Sequence, residues 1–277
     1  MNFKRIQWIF FVAFVIFDVI VASQLLFQNR FTISNGAQNK QAVLKEMTAD
    51  SISYGKLSNT KPNAFYISGA RSGENGVLAQ KAESLKGQTT RFNNNIMISS
   101  FEKPIKINAK HPNYRIDKLI KKSGNVPLGK YYKYNQQLSD KHQVVYTQMV
   151  KGHPILSADG QIKFHINANN ELTGYNQGYL EKTRILQQRM TAISKQRAVV
   201  WLYRHNQIPN NSQIRWAILG YTRLLTTNDN DQAVYAPTWM VNVRTKTTGA
   251  VQRLNVNAFN STVIKTNSTT INVDSIK

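Results

Sequence analysis

The residues able to do chemistry are few and scattered. Five histidines, His111, His142, His153, His165 and His205, sit singly beside turns, strand pieces or helix ends. A lone imidazole in such a place reads as a structural or surface group. No His-Glu-x-x-His zinc pattern, Gly-x-Ser-x-Gly elbow, Ser-x-x-Lys pair or phosphate-binding glycine loop occurs. Cysteine is absent, which removes thiol nucleophiles, a disulfide framework and lipoprotein acylation. Asp229-Asn230-Asp231 has the start of a calcium loop without its glycine and distal glutamate, and reads as a polar hairpin turn. Among 14 acidic residues no spacing nominates a glycosidase-type pair. The sequence therefore nominates no catalytic residue, no metal ligand and no cofactor, and the expectation is a protein that is not an enzyme.

The polar residues in unusual company are Asp18 and Gln24. Both interrupt an apolar run from Ile6 to Phe27 that follows Lys4 and Arg5. About twenty apolar residues suffice for a helix to cross a bilayer, and the basic flank predicts a cytoplasmic N-terminus with Gln28 to Lys277 outside the cell membrane. A cleaved signal peptide with Val21-Ala22-Ser23 as its site is the alternative. The apolar residues Leu25-Leu26-Phe27 beyond that site favour a retained, single-pass anchor. An ionised carboxylate facing lipid past the middle of such a helix costs about 2.5–3.5 kcal/mol on insertion scales. Asp18, with Gln24, is therefore a candidate contact for a neighbouring transmembrane helix; the other reading is that a strongly apolar run tolerates one polar residue.

The elements beyond the anchor read as strands punctuated by helices. Residues 28–40 form a polar juxtamembrane linker, 41–110 an N-terminal part of the ectodomain, and 111–277 an α+β region. Helical spacing over Asn113–Ser123 and Thr191–His205 each introduces a run of strands: Gly129–Leu138, Gln143–Val150, Gln161–Ala168 and Glu171–Leu180, then Gln213–Leu225, Val234–Arg244 and Val251–Asn257. Asp159-Gly160 and Asn169-Asn170 are turn signals. The two blocks echo one another as two helix-plus-meander units. Trp201, Tyr203, Arg204, Trp216, Tyr221 and Trp239 read as core and rim of the last sheet, with a peptide-binding face as the alternative. The expected fold class is α+β: an N-terminal transmembrane helix, then an ectodomain of antiparallel sheets each packed with a helix.

Net charge adds a partner class. The chain carries +22 at pH 7, a field that attracts polyanions. Beyond a membrane no nucleic acid is expected, leaving anionic lipid headgroups or an anionic cell-wall polymer. The alternative is that the charge only maintains solubility.

Several stretches resemble the YycI family of membrane-anchored regulatory proteins of Gram-positive bacteria. They are the anchor Lys4-Arg5-Ile6-Gln7-Trp8-Ile9-Phe10-Phe11-Val12-Ala13-Phe14, Leu128-Gly129-Lys130-Tyr131-Tyr132-Lys133-Tyr134, Gly174-Tyr175-Asn176-Gln177-Gly178-Tyr179-Leu180, Ile218-Leu219-Gly220-Tyr221 and Ala236-Pro237-Thr238-Trp239-Met240-Val241. The resemblance is strong in the anchor and from Tyr114 to Asn257, and faint from Asn29 to Lys110. It implies a non-enzymatic partner of a WalK-like sensor histidine kinase, acting beside a YycH-like protein in a two-component system that governs cell-wall metabolism. It also implies that the anchor helix meets the kinase's transmembrane helices. No catalytic site is implied.

Overall fold

The computed structural model describes residues 36–227 and 232–264, together with the single positions Trp8, Phe14, Val15 and Asp18. In chain order the elements are α1 (Gly36–Ala49), β1 (Ser53–Tyr54), β2 (Asn63–Ala64), β3 (Ile67–Arg71), α2 (Val77–Ala82), β4 (Gln88–Asn93), β5 (Ile96–Lys106), α3 (Asn113–Ile120), β6 (Tyr132–Tyr134), β7 (Gln143–Val150), β8 (His153–Pro154), β9 (Gln161–Ile166), β10 (Glu171–Gln177), β11 (Leu180–Ile185), β12 (Met190–Thr191), α4 (Lys195–Arg204), β13 (Ser212–Thr226), β14 (Gln232–Thr245) and β15 (Val251–Asn257). Two compact units result, Met1–Ile52 and Ser53–Lys277. The architecture is α+β, with antiparallel sheets and few helices. The expected membrane span at 6–27 lies outside the described residues, apart from the four single positions. Among the described residues no helix is long and apolar enough to cross a membrane.

In the first unit α1 ends in a Schellman turn. Ser51 takes φ 60°, and the Ile52 amide returns to the Met47 carbonyl at 2.8 Å, satisfying a carbonyl that the helix end leaves open.

The second unit is built on two sheets. One runs β4-β5-β10-β9-β7-β6, with β8 paired to β7. Its inner face carries an aromatic ladder: Tyr134 against Tyr146, Tyr146 against Phe164, Phe164 against Tyr175 and Phe101 against Tyr175, with centroids 5.2–5.9 Å apart. Such pairs add about 0.5–1.5 kcal/mol each beyond their area. Leu78 and Ala82 of α2 and Ile116 and Ile120 of α3 pack into this same core. The Tyr146 hydroxyl donates to Asp117 Oδ1 at 2.5 Å, fixing α3 to the sheet. Helix α3 stops at Ile120, short of the predicted Ser123, because the chain turns through Lys122 N–H to Leu119 C=O and Val126 N–H to Lys122 C=O. The predicted strand Gly129–Leu138 shrinks to β6. Gly129–Tyr131 is a 3₁₀ turn, and Asn135 Oδ1 accepts from the Leu138 amide to start the next turn.

The other sheet runs β1-β13-β14-β3-β11, with β15 also on β14. Strand β14 serves two neighbours in succession along one edge: β3 over 232–235 and β15 over 238–244. Pro237 occupies the gap between them. Its carbonyl accepts from Ala258 N–H, so its missing N–H points to the same side, and the ladder to β13 loses nothing. Residues 235–243 are buried without alternation, as expected for a strand covered on both faces. Helix α4 contacts β14, and Trp239 Nε1 donates to the Ile193 carbonyl at 2.9 Å. The helix begins at Lys195 rather than the predicted Thr191, since Ser194 is its N-cap and accepts from Arg197 N–H. Residues 190–191 instead pair with β2.

Candidate functional site

In the second unit a buried polar seam joins the two large sheets. Residues 154–156 leave β8 and run beside β13, with Ile155 bridged to Tyr221 and the Leu156 amide donating to the Tyr221 carbonyl at 2.7 Å. The chain then makes a 3₁₀ turn at Ala158–Gly160. Asp159 of this turn is buried. Its Oδ1 accepts from Arg223 Nη1 at 2.8 Å and its Oδ2 from the Tyr235 hydroxyl at 3.1 Å. Burial first, and the Asp159 charge next, push the Tyr235 phenol far above its ordinary value. Both carboxylate oxygens are thus committed to donors on β13 and β14, which makes the group a fixed anionic pin rather than a free general base.

A second pin is the side chain of Gln148 on β7. Its Nε2 donates to the Leu180 carbonyl and its Oε1 accepts the Leu180 amide, both at 2.9 Å. The amide thereby stands in for a strand neighbour at the start of β11. Two glycines permit the close approach. A Cβ on Gly178 would lie 2.4 Å from the Ala158 carbonyl oxygen, and one on Gly220 would lie 2.4 Å from that of Pro154. These two glycines belong to the motifs quoted above, and packing at the seam is the physical reason for them. Gly220 sits midway along β13 and Leu128-Gly129 precedes β6, so the two motifs do not occupy equivalent places in the two blocks.

The histidines remain apart in the fold. His111 stacks on Tyr114 and His205 on Trp201, while His153 meets Tyr221 edge-on. Burial lowers the His153 and His165 pKa values below 6.5. The His142 amide donates to Asp140. Among the described residues no group of three or more His, Cys, Asp or Glu could hold a metal ion. Asp229-Asn230-Asp231 lies outside the described residues. Tyr221 and Trp239 are buried and Trp201, Tyr203 and Trp216 half-buried, which places the aromatic group in the core and rim of the last sheet. Of the two helix-contact candidates, Asp18 has helical backbone and an exposed side chain, and Gln24 lies outside the described residues.

In the sequence Asp159 reads as a turn residue, and no local signal marks Gln148. The Asp-Gly pair is a turn signal in its own right, and the partners of Asp159 lie 64 and 76 residues away.

These features define an α+β protein in which two buried polar side chains, Asp159 and Gln148, hold the two large sheets together. The model of the YycI protein family matches residues 32–259. The chain belongs to the YycI family, a regulatory family tied to two-component signalling. No curated protein matches it. Among solved structures it is similar to an uncharacterized protein from Eubacterium rectale ATCC 33656, at 10% identity over 78% of this chain and 91% of that one, with a TM-score of 0.45. It is also similar to the Bacillus megaterium YpeB C-terminal domain, at 11% identity over 83% and 96% of the two chains, with a TM-score of 0.36.

Proposed function

We propose that this chain is a single-pass, membrane-anchored extracytoplasmic regulator of a WalK-type sensor histidine kinase. In this reading it acts with a YycH-like partner on cell-wall metabolism, and the contact is made by its N-terminal helix. Family membership over residues 32–259 carries the reading. The apolar run of Ile6–Phe27 supports it, as do the exposed side chains of Trp8, Phe14 and Val15 on helical backbone, which suit an apolar surround better than water. Asp18 and Gln24 are the polar contacts toward the kinase helices. A regulator of this kind biases the kinase between two states, for which a differential contact energy of about 1–3 kcal/mol is enough.

The test is crosslinked co-purification from membranes, comparing the native chain with one whose Ile6–Phe27 helix is replaced by an unrelated transmembrane helix. Kinase recovered with the native helix and lost with the substitute is the expected result. Equal recovery would move recognition to the ectodomain, and no kinase with either would overturn the proposal.

A further inference from the structure

The outer face of the seven-stranded sheet carries an ordered row with a cation at each end. Side chains alternate between faces along a strand. Met97, Phe164 and Tyr175 point into the core that α2 and α3 cover, so their neighbours Ile98, Lys163 and Asn176 point to the opposite side. Register places Lys163 of β9 opposite Asn176 of β10, Asn176 opposite Ile98 of β5, and Ile98 opposite Arg91 of β4. The row runs across four strands, so Lys163 and Arg91 stand roughly 14 Å apart at the backbone, three strand spacings. The row beside it reads His165, Gly174, Ser100 and Thr89. Neither row contains a carboxylate.

One end of this face abuts the other sheet. Val145, directly opposite Lys163, is in the cluster that includes Met240, with Trp216 packed on it. Trp216, Asn242 and Arg253 form the adjoining row of the six-stranded sheet, which brings Arg253 to the margin beside Lys163. Lys163 is half-buried, and among the described residues no carboxylate pairs with it. Burial, and then the charge of Arg253, lower its pKa. Asp140 is the carboxylate that acts on Arg253, and its Oδ1 accepts from the amides of His142 and Gln143. His165 Nε2 is buried without a partner on the same face. Cations held close together, one half-buried and lacking a counter-charge, form an incomplete set that an incoming anion completes.

We infer that Arg253, Lys163 and Arg91 form an elongated binding track for a linear phosphodiester polymer, laid across the strands with its anions over these cations. The row crosses the strands, so an acidic peptide lying along it would gain no ladder hydrogen bonds. Between Lys163 and Arg91 the row offers one apolar side chain, Ile98. A flexible chain of regularly repeated anions asks only for spaced cations, and the guanidinium forks of Arg91 and Arg253 suit phosphate oxygens. The inference rests on sheet register and charge and not on the kinase reading, so the two fail separately.

The test uses the full chain in detergent micelles with poly(glycerol phosphate), a linear phosphodiester polymer, as the probe. The pair Arg91→Gln and Lys163→Gln is compared with Lys118→Gln and Lys122→Gln, which remove equal charge on and beside α3. The row variant is expected to weaken binding about tenfold at low salt, and the α3 variant by less than about threefold. Arg91→Gln alone, on an exposed position, is expected to weaken binding measurably without touching the half-buried site. Bound polymer should also protect Lys163 from amine acetylation. Equal loss from both pairs would show diffuse attraction and overturn the track. Polyglutamate of matched length binding as tightly would overturn the phosphodiester assignment, and orthophosphate competing at equal anion concentration would overturn the extended one.

Discussion

Replacing Gln148 by leucine isolates what the seam contributes to the fold. The substitution keeps roughly the size of the side chain and removes both hydrogen bonds to Leu180, each 2.9 Å long. Gln148 is 4% and Leu180 1% exposed, so water does not take over the vacated partners. Each lost bond leaves a buried backbone group unpaired, at about 1–3 kcal/mol. The added apolar contact of leucine offsets part of this, and the expected net loss is about 3 kcal/mol. For a unit the size of Ser53–Lys277, that corresponds to a fall in Tm of about 6–12 °C. Thermal and urea unfolding read the total, and amide hydrogen exchange reads the location. The Leu180 amide should lose protection first, while amides of the aromatic-ladder strands β9 and β10 retain theirs until global unfolding. A loss below about 1 kcal/mol with Leu180 protection unchanged would refute the claim that this amide fastens β11 to β7.

Gly220→Ala should destabilise by about 2–3 kcal/mol through the clash with Pro154 and Leu156, whereas Gly124→Ala, where an added Cβ meets nothing within 4 Å, should be near neutral in the same melts. The lowered pKa values of His153 and His165 mean that the unfolded chain binds protons more readily. Stability is therefore full above pH 6.5, the usual histidine value, and declines as pH falls through the window down to the lower folded values; urea midpoints at several pH values should show this, and the double change to glutamine should flatten it. Asp18→Leu should leave membrane insertion intact and weaken co-purification with the kinase; unchanged recovery and unchanged signalling output would remove Asp18 from the proposed contact.

The long strands were legible in the sequence because each announces itself locally. β7, β13, β14 and β15 lie within two residues of their predicted bounds, set by apolar runs between turn signals. β11 was missed for the opposite reason. Leu180-Glu181-Lys182-Thr183-Arg184-Ile185 is a charged edge strand, and edges protected by charge lack the alternation that marks a half-buried strand. The buried Asp159 and the row from Lys163 to Arg91 depend on which strands become neighbours. That information is held in non-local pairings, with no local spacing to disclose it.

The proline in β14 bears on the order of assembly. β15 follows β14 through a short turn, so that hairpin closes at small entropic cost and early. β3 comes from a distant part of the sequence and must find the same edge of β14 later. An uninterrupted β14 would let β15 and the chain after it zip onward across the stretch that β3 needs, trapping β3 outside the sheet. Pro237 offers no N–H to such an extension. Together with the turn after β15, where Val263 folds back onto Val256, this leaves residues 232–235 to the late-arriving strand.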